Sequence, residues 1–458
     1  TPIQHWFFEQ NLSHKSHYNQ ATLLQAQRPL DPSLLNQLFS LLLSHHDALR
    51  FRYHQDTQCH WIQTSLDHGE PFSLHETNLS PILSEDQLAQ AIEERASHIQ
   101  QSLDIEKGPV IQAVLFDCGQ SRPQRLLIVI HHLMVDGVSW RILLEDIETV
   151  YDQLAQGDPP SLPSKTHSYQ QWANALREHA SSQSLLEEIP YWQQISNSIK
   201  LVPVDFNLGL SETLSQTITH SLSQEKTTNL LKEVHHAYDT HINDILLAAL
   251  VLGIGDWTQK YEVSLLLEGH GREDIINDID LSRTVGWFTT LFPVHLNIEN
   301  SDDLEEAIKM VKRTLRKIPH KGIGFGILSY LTHPRLNLSI KPSIRFNYLG
   351  QWDNAFQADS LFTFANESSG STISAKNALP YLLDFNGHIK NGRIQISLTY
   401  SKNHYSKDSI ERILEAYMFR LTELIDFCLH QKDTSSNKLV VPFYNKGNNP
   451  IIFFIHPI

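Results

Sequence analysis

The His131-His132 pair closes an apolar run, Arg125 to Ile130, and is followed at once by Asp136-Gly137 and the hydroxyl of Ser139. The run reads as a buried strand, and Gly137 with Ser139 as the start of a helix carrying Trp140 to Tyr151. An imidazole at such a junction can take or give a proton, since its unperturbed pKa is about 6.5. A second segment offers the complementary group. Glu268 closes another apolar run, Val263 to Leu267, and is followed by Gly269-His270-Gly271-Arg272-Glu273. Glycines there permit close approach of a substrate or another backbone. A carboxyl starts near about 4.3 and rises on burial, so it can be held protonated as an acid opposite a histidine base.

Structural readings stand beside these. The His pair can be buried and satisfied by backbone hydrogen bonds, with Asp136 as a helix cap. His131 alternates with His132, points to the opposite face and reads as a packing residue. Asp136 is better suited to holding the loop through an ion pair with an arginine, Arg272 or Arg283, than to shuttling protons. The 26 histidines raise the question of a metal, but His45-His46 and His235-His236 with His241 form no recognisable ligand set, so no metal is expected. Gly322, Gly324 and Gly326 lack the strand and P-loop context of a phosphate site, so no nucleotide is expected either.

The elements that must position these groups alternate between the two types. Helical spacing runs from Leu30 to Leu49, with Asp31-Pro32 as a start signal, and again from Ser84 to Leu103. A break at Gly157 to Pro163 precedes a short helix around Gln171 to Glu178 and a second αβ run from near Tyr191, which places a boundary between 160 and 195. That run contains a helix over Asn243–Thr258, the strand into Glu268, strands Ile344–Leu349 and Ile394–Tyr400, and a helix Lys407–Leu429. Gln431 to Asn437 reads as a polar linker, and Leu439 to Ile458 ends in the apolar Ile451 to Ile455.

The 458 residues are 41% hydrophobic and 19% charged, enough for a sizeable globular core. A formal charge of -15 without a basic block disfavours nucleic acid and polyanions as partners. Cys59, Cys118 and Cys428 are odd in number and far apart, which fits a reducing cytoplasm. The longest apolar stretch, Ile245 to Ile254, is too short to span a bilayer, so no membrane is expected. The opening Thr1-Pro2-Ile3-Gln4 suggests a piece of a longer polypeptide, and nothing in the pattern calls for an oligomer.

Read in order, TPIQHWFFEQ, HHLMVDGVSW, EGHGRE, SRTVGWFTTLFPVHL, PHKGIGFG and FNYLGQ resemble the epimerization domains of nonribosomal peptide synthetases, over residues 1 to about 430. The HHxxxDG element is shared with condensation domains and chloramphenicol acetyltransferase, so the later motifs carry the discrimination. Phe292 and Phe325 depart from the pattern, standing where tyrosine is common.

The resemblance implies an α/β fold of two chloramphenicol-acetyltransferase-like subdomains, 1–175 and 176–432, in a V-shaped pseudo-dimer with an active-site tunnel between them. Residues 433–458 would be a linker and, from VPFYNKGNNPIIFFIHPI, the start of a thioesterase-like domain. The implied reaction is epimerization at the α-carbon of an aminoacyl or peptidyl thioester carried on the 4′-phosphopantetheine of an upstream carrier domain, with no cofactor bound here. His132 and Glu268 would be its acid-base pair. Asn347 and Tyr348 are further candidates, the Tyr348 hydroxyl as a donor to the enolate oxygen or, more plainly, as a core aromatic. The alternative is amide-forming condensation, with His132 positioning an amine nucleophile.

Overall fold

The computed structural model describes residues 1–436 except 11, 68–71, 207, 209–214, 334, 336–341, 352–355 and 357–358. The thioesterase-like stretch within 437–458 lies outside the described residues.

In the first half the order is α1 (Pro2–Glu9), β1 (Asn19–Ala26), α2 (Pro32–His45), β2 (Phe51–Gln55), β3 (Trp61–Ser65), β4 (His75–Asn78), α3 (Glu85–Gln100), β5 (Ile111–Asp117), β6 (Arg125–His131) and α4 (Gly137–Gln156). Three helices follow, α5 (Tyr169–His179), α6 (Gln183–Leu186) and α7 (Ile189–Asn197). The second half opens with β7 (Ser215–Ser221), α8 (Gln224–Lys232), α9 (His235–Tyr238), α10 (Ile242–Thr258), β8 (Glu262–Gly269) and β9 (Thr290–Asn297). It continues through α11 (Leu304–Arg316), α12 (Ile323–Tyr330), β10 (Ile344–Gln351), β11 (Phe362–Phe364), β12 (Leu383–Lys390), β13 (Arg393–Ser401) and α13 (Lys407–Ser436).

Two sheets dominate, in the orders β11-β1-β6-β5-β4 and β7-β13-β12-β10-β8-β9. Strand β6 and all of β5 but its last residue are buried on both faces, which explains their continuous apolar runs. On one face of this sheet Leu88, Ile92 and Ile99 of α3 pack with Val114, Phe116, Leu127 and Val129. The opposite face joins a core that continues into the second half. In that half α10 is buried from Asp244 to Gly255 against α13. A Cβ on Gly253 would lie 2.7 Å from the Tyr417 Cα, so only glycine lets the two helices approach this closely. The apolar stretch of α10 is thus core, and no single helix among the described residues is long and apolar enough to cross a membrane.

The sequence boundary at 175 separates the strands of the two sheets with one exception. Strand β11, late in the chain, pairs antiparallel with β1 of the first sheet, Leu24 opposite Phe364, and a further bridge joins Tyr18 to Ile373. The expected polar linker from Gln431 is also corrected: α13 continues to Ser436. Gln-Lys-Asp-Thr-Ser-Ser is polar but holds neither Gly nor Pro, so nothing in it breaks a helix.

Candidate active site

His132 follows the end of β6, and strand pairing decides which way it faces. Gln20 of β1 is opposite Ile130, so Gln20 and His132, two residues on, are diagonal neighbours on one face of the sheet. His131, opposite Asn19, turns the other way, is fully buried, and holds the Lys15 carbonyl through Nε2 at 2.8 Å.

The proton on His132 is fixed by its partners. Nδ1 lies 2.8 Å from the Val135 carbonyl, which can only accept, so Nδ1 carries the hydrogen. Nε2 lies 3.1 Å from the Gln20 amide nitrogen. That amide is oriented in turn, because its oxygen accepts from the Trp140 indole at 2.8 Å. His132 therefore presents a basic Nε2 toward Gln20. Its ring packs against Trp287 at 4.2 Å and Tyr18 at 5.7 Å, themselves 6.2 Å apart, and burial in this cluster pushes its pKa down to about 4, leaving it neutral at pH 7.

Asp136 and Arg272 fasten the two halves. Asp136 caps α4 by accepting from the Ser139 amide at 2.8 Å, accepts from the Phe288 amide at 3.0 Å, and receives Arg272 at 3.2 Å. Arg272 also donates to the Leu281 and Thr284 carbonyls and stacks 3.8 Å over Phe288. Ser139 ties the same seam, donating to the Gly286 carbonyl and accepting from its amide. Of the two arginines open in the sequence, Arg272 thus meets Asp136, whereas Arg283 pairs with Glu145 and Asp146. Gly271 has φ of 69°, and a Cβ there would fall 1.7 Å from the Phe288 carbonyl oxygen, so the second glycine of EGHGR is required for Arg272 to reach the seam. Gly137 is the first residue of α4. With a carboxylate capping this end, the helix terminus is less suited to stabilising a second anion.

Glu268 occupies the last turn of the pleat in β8. Arg345 and Asn347 of the adjacent parallel strand β10 reach it from one face, Arg345 Nη1 donating to one oxygen at 3.0 Å and Asn347 Nδ2 to the other at 2.7 Å. Arg345 is held from its other side by Asp384 of β12, its register partner. Burial raises the Glu268 pKa, Arg345 opposes that rise and Asp384 adds to it. Tyr348, next after Asn347, faces elsewhere: it lines a cavity of about 1040 Å³ with Arg141, Leu144, His241 and Gln351, and burial pushes its hydroxyl up to about 12. Asn347 and Tyr348 are therefore not brought together.

Arg345 joins the two sides. Its charge bears on His132 as well as Glu268, and also on Tyr18, whose ring stacks on His132. Gln20, Tyr18, Trp287, Arg345 and Asp384 were not singled out from the sequence. Trp287 and Trp140 fall inside motifs quoted above, and Arg345 immediately precedes FNYLGQ, whereas Gln20 and Asp384 carry no local signal. No group of three or more metal-ligating side chains occurs among the described residues.

Comparison with known proteins adds the family. The condensation domain profile matches residues 1–439. A linear gramicidin synthase of Brevibacillus parabrevis is 44% identical over 98% of this chain and 6% of its own length. Surfactin synthase subunit 1 of Bacillus subtilis is 40% identical over 95% of this chain and 12% of its own. The chain thus spans a small fraction of these relatives. Among solved structures, the epimerization domain from the third module of tyrocidine synthetase B is 38% identical, with a TM-score of 0.86 over 94% of this chain and 97% of that one. The first condensation domain of the calcium-dependent antibiotic synthetase, at 15% identity and a TM-score of 0.70 over 93% and 94%, shares the fold.

Proposed function

The chain belongs to the condensation-domain family, and we propose that within it the chain is an epimerase of a carrier-bound aminoacyl or peptidyl thioester. One observation carries this reading: His132 of the first half and Glu268 of the second are both under the charge of Arg345, so a neutral imidazole and a carboxyl are gathered around one guanidinium. Amide formation needs no second acid-base group of this kind, whereas stereoinversion needs a base on one face of the α-carbon and an acid on the other. The similarity to an epimerization domain at 38% identity supports the same choice.

In the proposed reaction one of the pair takes the α-proton. The C–H electrons pass into the α-carbon–carbonyl bond and the thioester oxygen becomes an enolate. The other group returns a proton to the opposite face, and because both directions are open a mixture of stereoisomers results. The substrate enters on the 4′-phosphopantetheine of an upstream carrier domain. The Trp287 indole N–H, buried against His132 with no partner among the described residues, is a donor for the enolate oxygen. A cytoplasmic setting and a thioesterase domain following in the same polypeptide belong to this proposal; the three free cysteines support the first.

The test loads L-aminoacyl or peptidyl phosphopantetheine on a carrier domain in D₂O and follows α-deuterium and chirality after release. Deuterium entry with D product, lost in Glu268→Gln, is the expected result. No exchange, but amide formation with an acceptor thioester, would assign the chain to condensation.

A further inference from the structure

Glu268, Arg345 and Asp384 stand in a row across three adjacent strands, β8, β10 and β12, with side chains only 17%, 16% and 13% exposed. The row holds two carboxylates and one guanidinium, so one carboxylate lacks a full countercharge. The hydrogen bonds say which. Asp384 takes two edges of the guanidinium, Nε at 2.8 Å and Nη2, in a fork that suits a carboxylate. Glu268 receives one N–H from Arg345 and completes its bonding with the neutral Asn347 amide. Other groups facing Glu268 leave the balance unchanged. Leu291 lies opposite it on β9, and Tyr18 and Tyr381 approach from outside the strand row as neutral phenols. The Tyr381 ring covers Arg345 at 5.2 Å, which shields the guanidinium from water.

We propose that Asp384 is a positioning residue that occupies the fork of Arg345, and thereby keeps Glu268 free to exchange a proton instead of being locked as a carboxylate; this rests on Glu268 being the acid-base group of the second half. Without Asp384, the guanidinium would turn its full charge on Glu268. A buried carboxyl facing an undivided arginine is held ionised and can neither store nor return the α-proton. The burial and the Asp384 charge that raise the Glu268 pKa act in the same direction as this geometry.

The experiment measures α-deuterium exchange on the loaded carrier as a function of pH for the unaltered chain, Asp384→Asn, Arg345→Gln and Glu268→Gln. In parallel, the ¹³C-labelled glutamate carboxyl resonance that disappears in Glu268→Gln is titrated in each protein. Asp384→Asn is expected to move both the exchange limb and the Glu268 titration to lower pH by about one unit or more. Arg345→Gln is expected to move them to higher pH. Opposite displacements cannot come from a general loosening of the fold, and the NMR titration reads them even in a variant that no longer turns over. A Glu268 titration that stays in place in both variants, or moves the same way in both, overturns the proposal for Asp384. Full exchange by Glu268→Gln would instead remove the acid-base reading on which it rests.

Discussion

In the first half His132 is held by neutral partners, the Val135 carbonyl, the Gln20 amide and two aromatic rings, whereas in the second half Glu268 lies in a row of charged side chains. Burial acts on both and pushes them in opposite senses: it lowers the imidazole, whose charged form is a cation, and raises the carboxyl, whose charged form is an anion. Both displacements favour the uncharged species. Around His132 burial among neutral groups is the main cause, with Asp136 opposing it and Arg345 adding to it from a distance, while the second half must divide an arginine between two acids. A neutral support is insensitive to its surroundings, and a charged one is adjustable by a single substitution.

The contrast breaks most completely if one member of the pair is removed. His132→Ala and Glu268→Gln are each expected to slow α-deuterium exchange by about 10³-fold or more, measured on a carrier-loaded thioester. Equal losses in the two would mark them as one unit, and a loss in His132→Ala alone would leave Glu268 with a structural role. Trp287→Phe keeps the stack on His132 but deletes the indole donor, and is expected to reduce exchange by about 10²-fold with the melting temperature unchanged.

The neutral half also carries a stability signature. His131 is fully buried and its pKa is pushed down to about 3, so the unfolded chain binds its proton first. Stability from this group is complete above the unfolded value of about 6.5 and declines as pH falls toward the folded value, a loss of about 2 kcal/mol at pH 5. Chemical denaturation at pH 7 and pH 5, compared with His131→Asn, isolates it. The smallest effect is expected at Gln20. Gln20→Leu withdraws the donor that holds the Nε2 lone pair of His132, and should cost about tenfold in exchange with no change in fold by circular dichroism.

Much of this could be read along the chain, because the groups concerned sit at element ends. His132 after an apolar strand, Asp136 as a cap and Glu268 before a glycine-rich turn are local patterns, and local patterns survive in one dimension. Gln20 and Asp384 did not, since each gains its role from strand pairing across large separations. Gln20 meets His132 only because β1 lies beside β6, and Asp384 meets Arg345 only because β12 lies beside β10. Periodicity predicts a strand but not its neighbour. The choice between Arg272 and Arg283 for Asp136 was open for the same reason, as was the facing of Asn347 and Tyr348, which follows from adjacent positions in one pleat.

Strand β11 gives the molecule a property of a different kind. Because Phe362–Phe364 crosses to pair with β1, the strand that carries Gln20, the halves are not interchangeable parts. A chimera built by joining residues 1–175 of one relative to the remainder of another would set a foreign strand against β1 beside the His132 support. The unit that recombination can exchange intact is therefore both halves together, inherited as one piece.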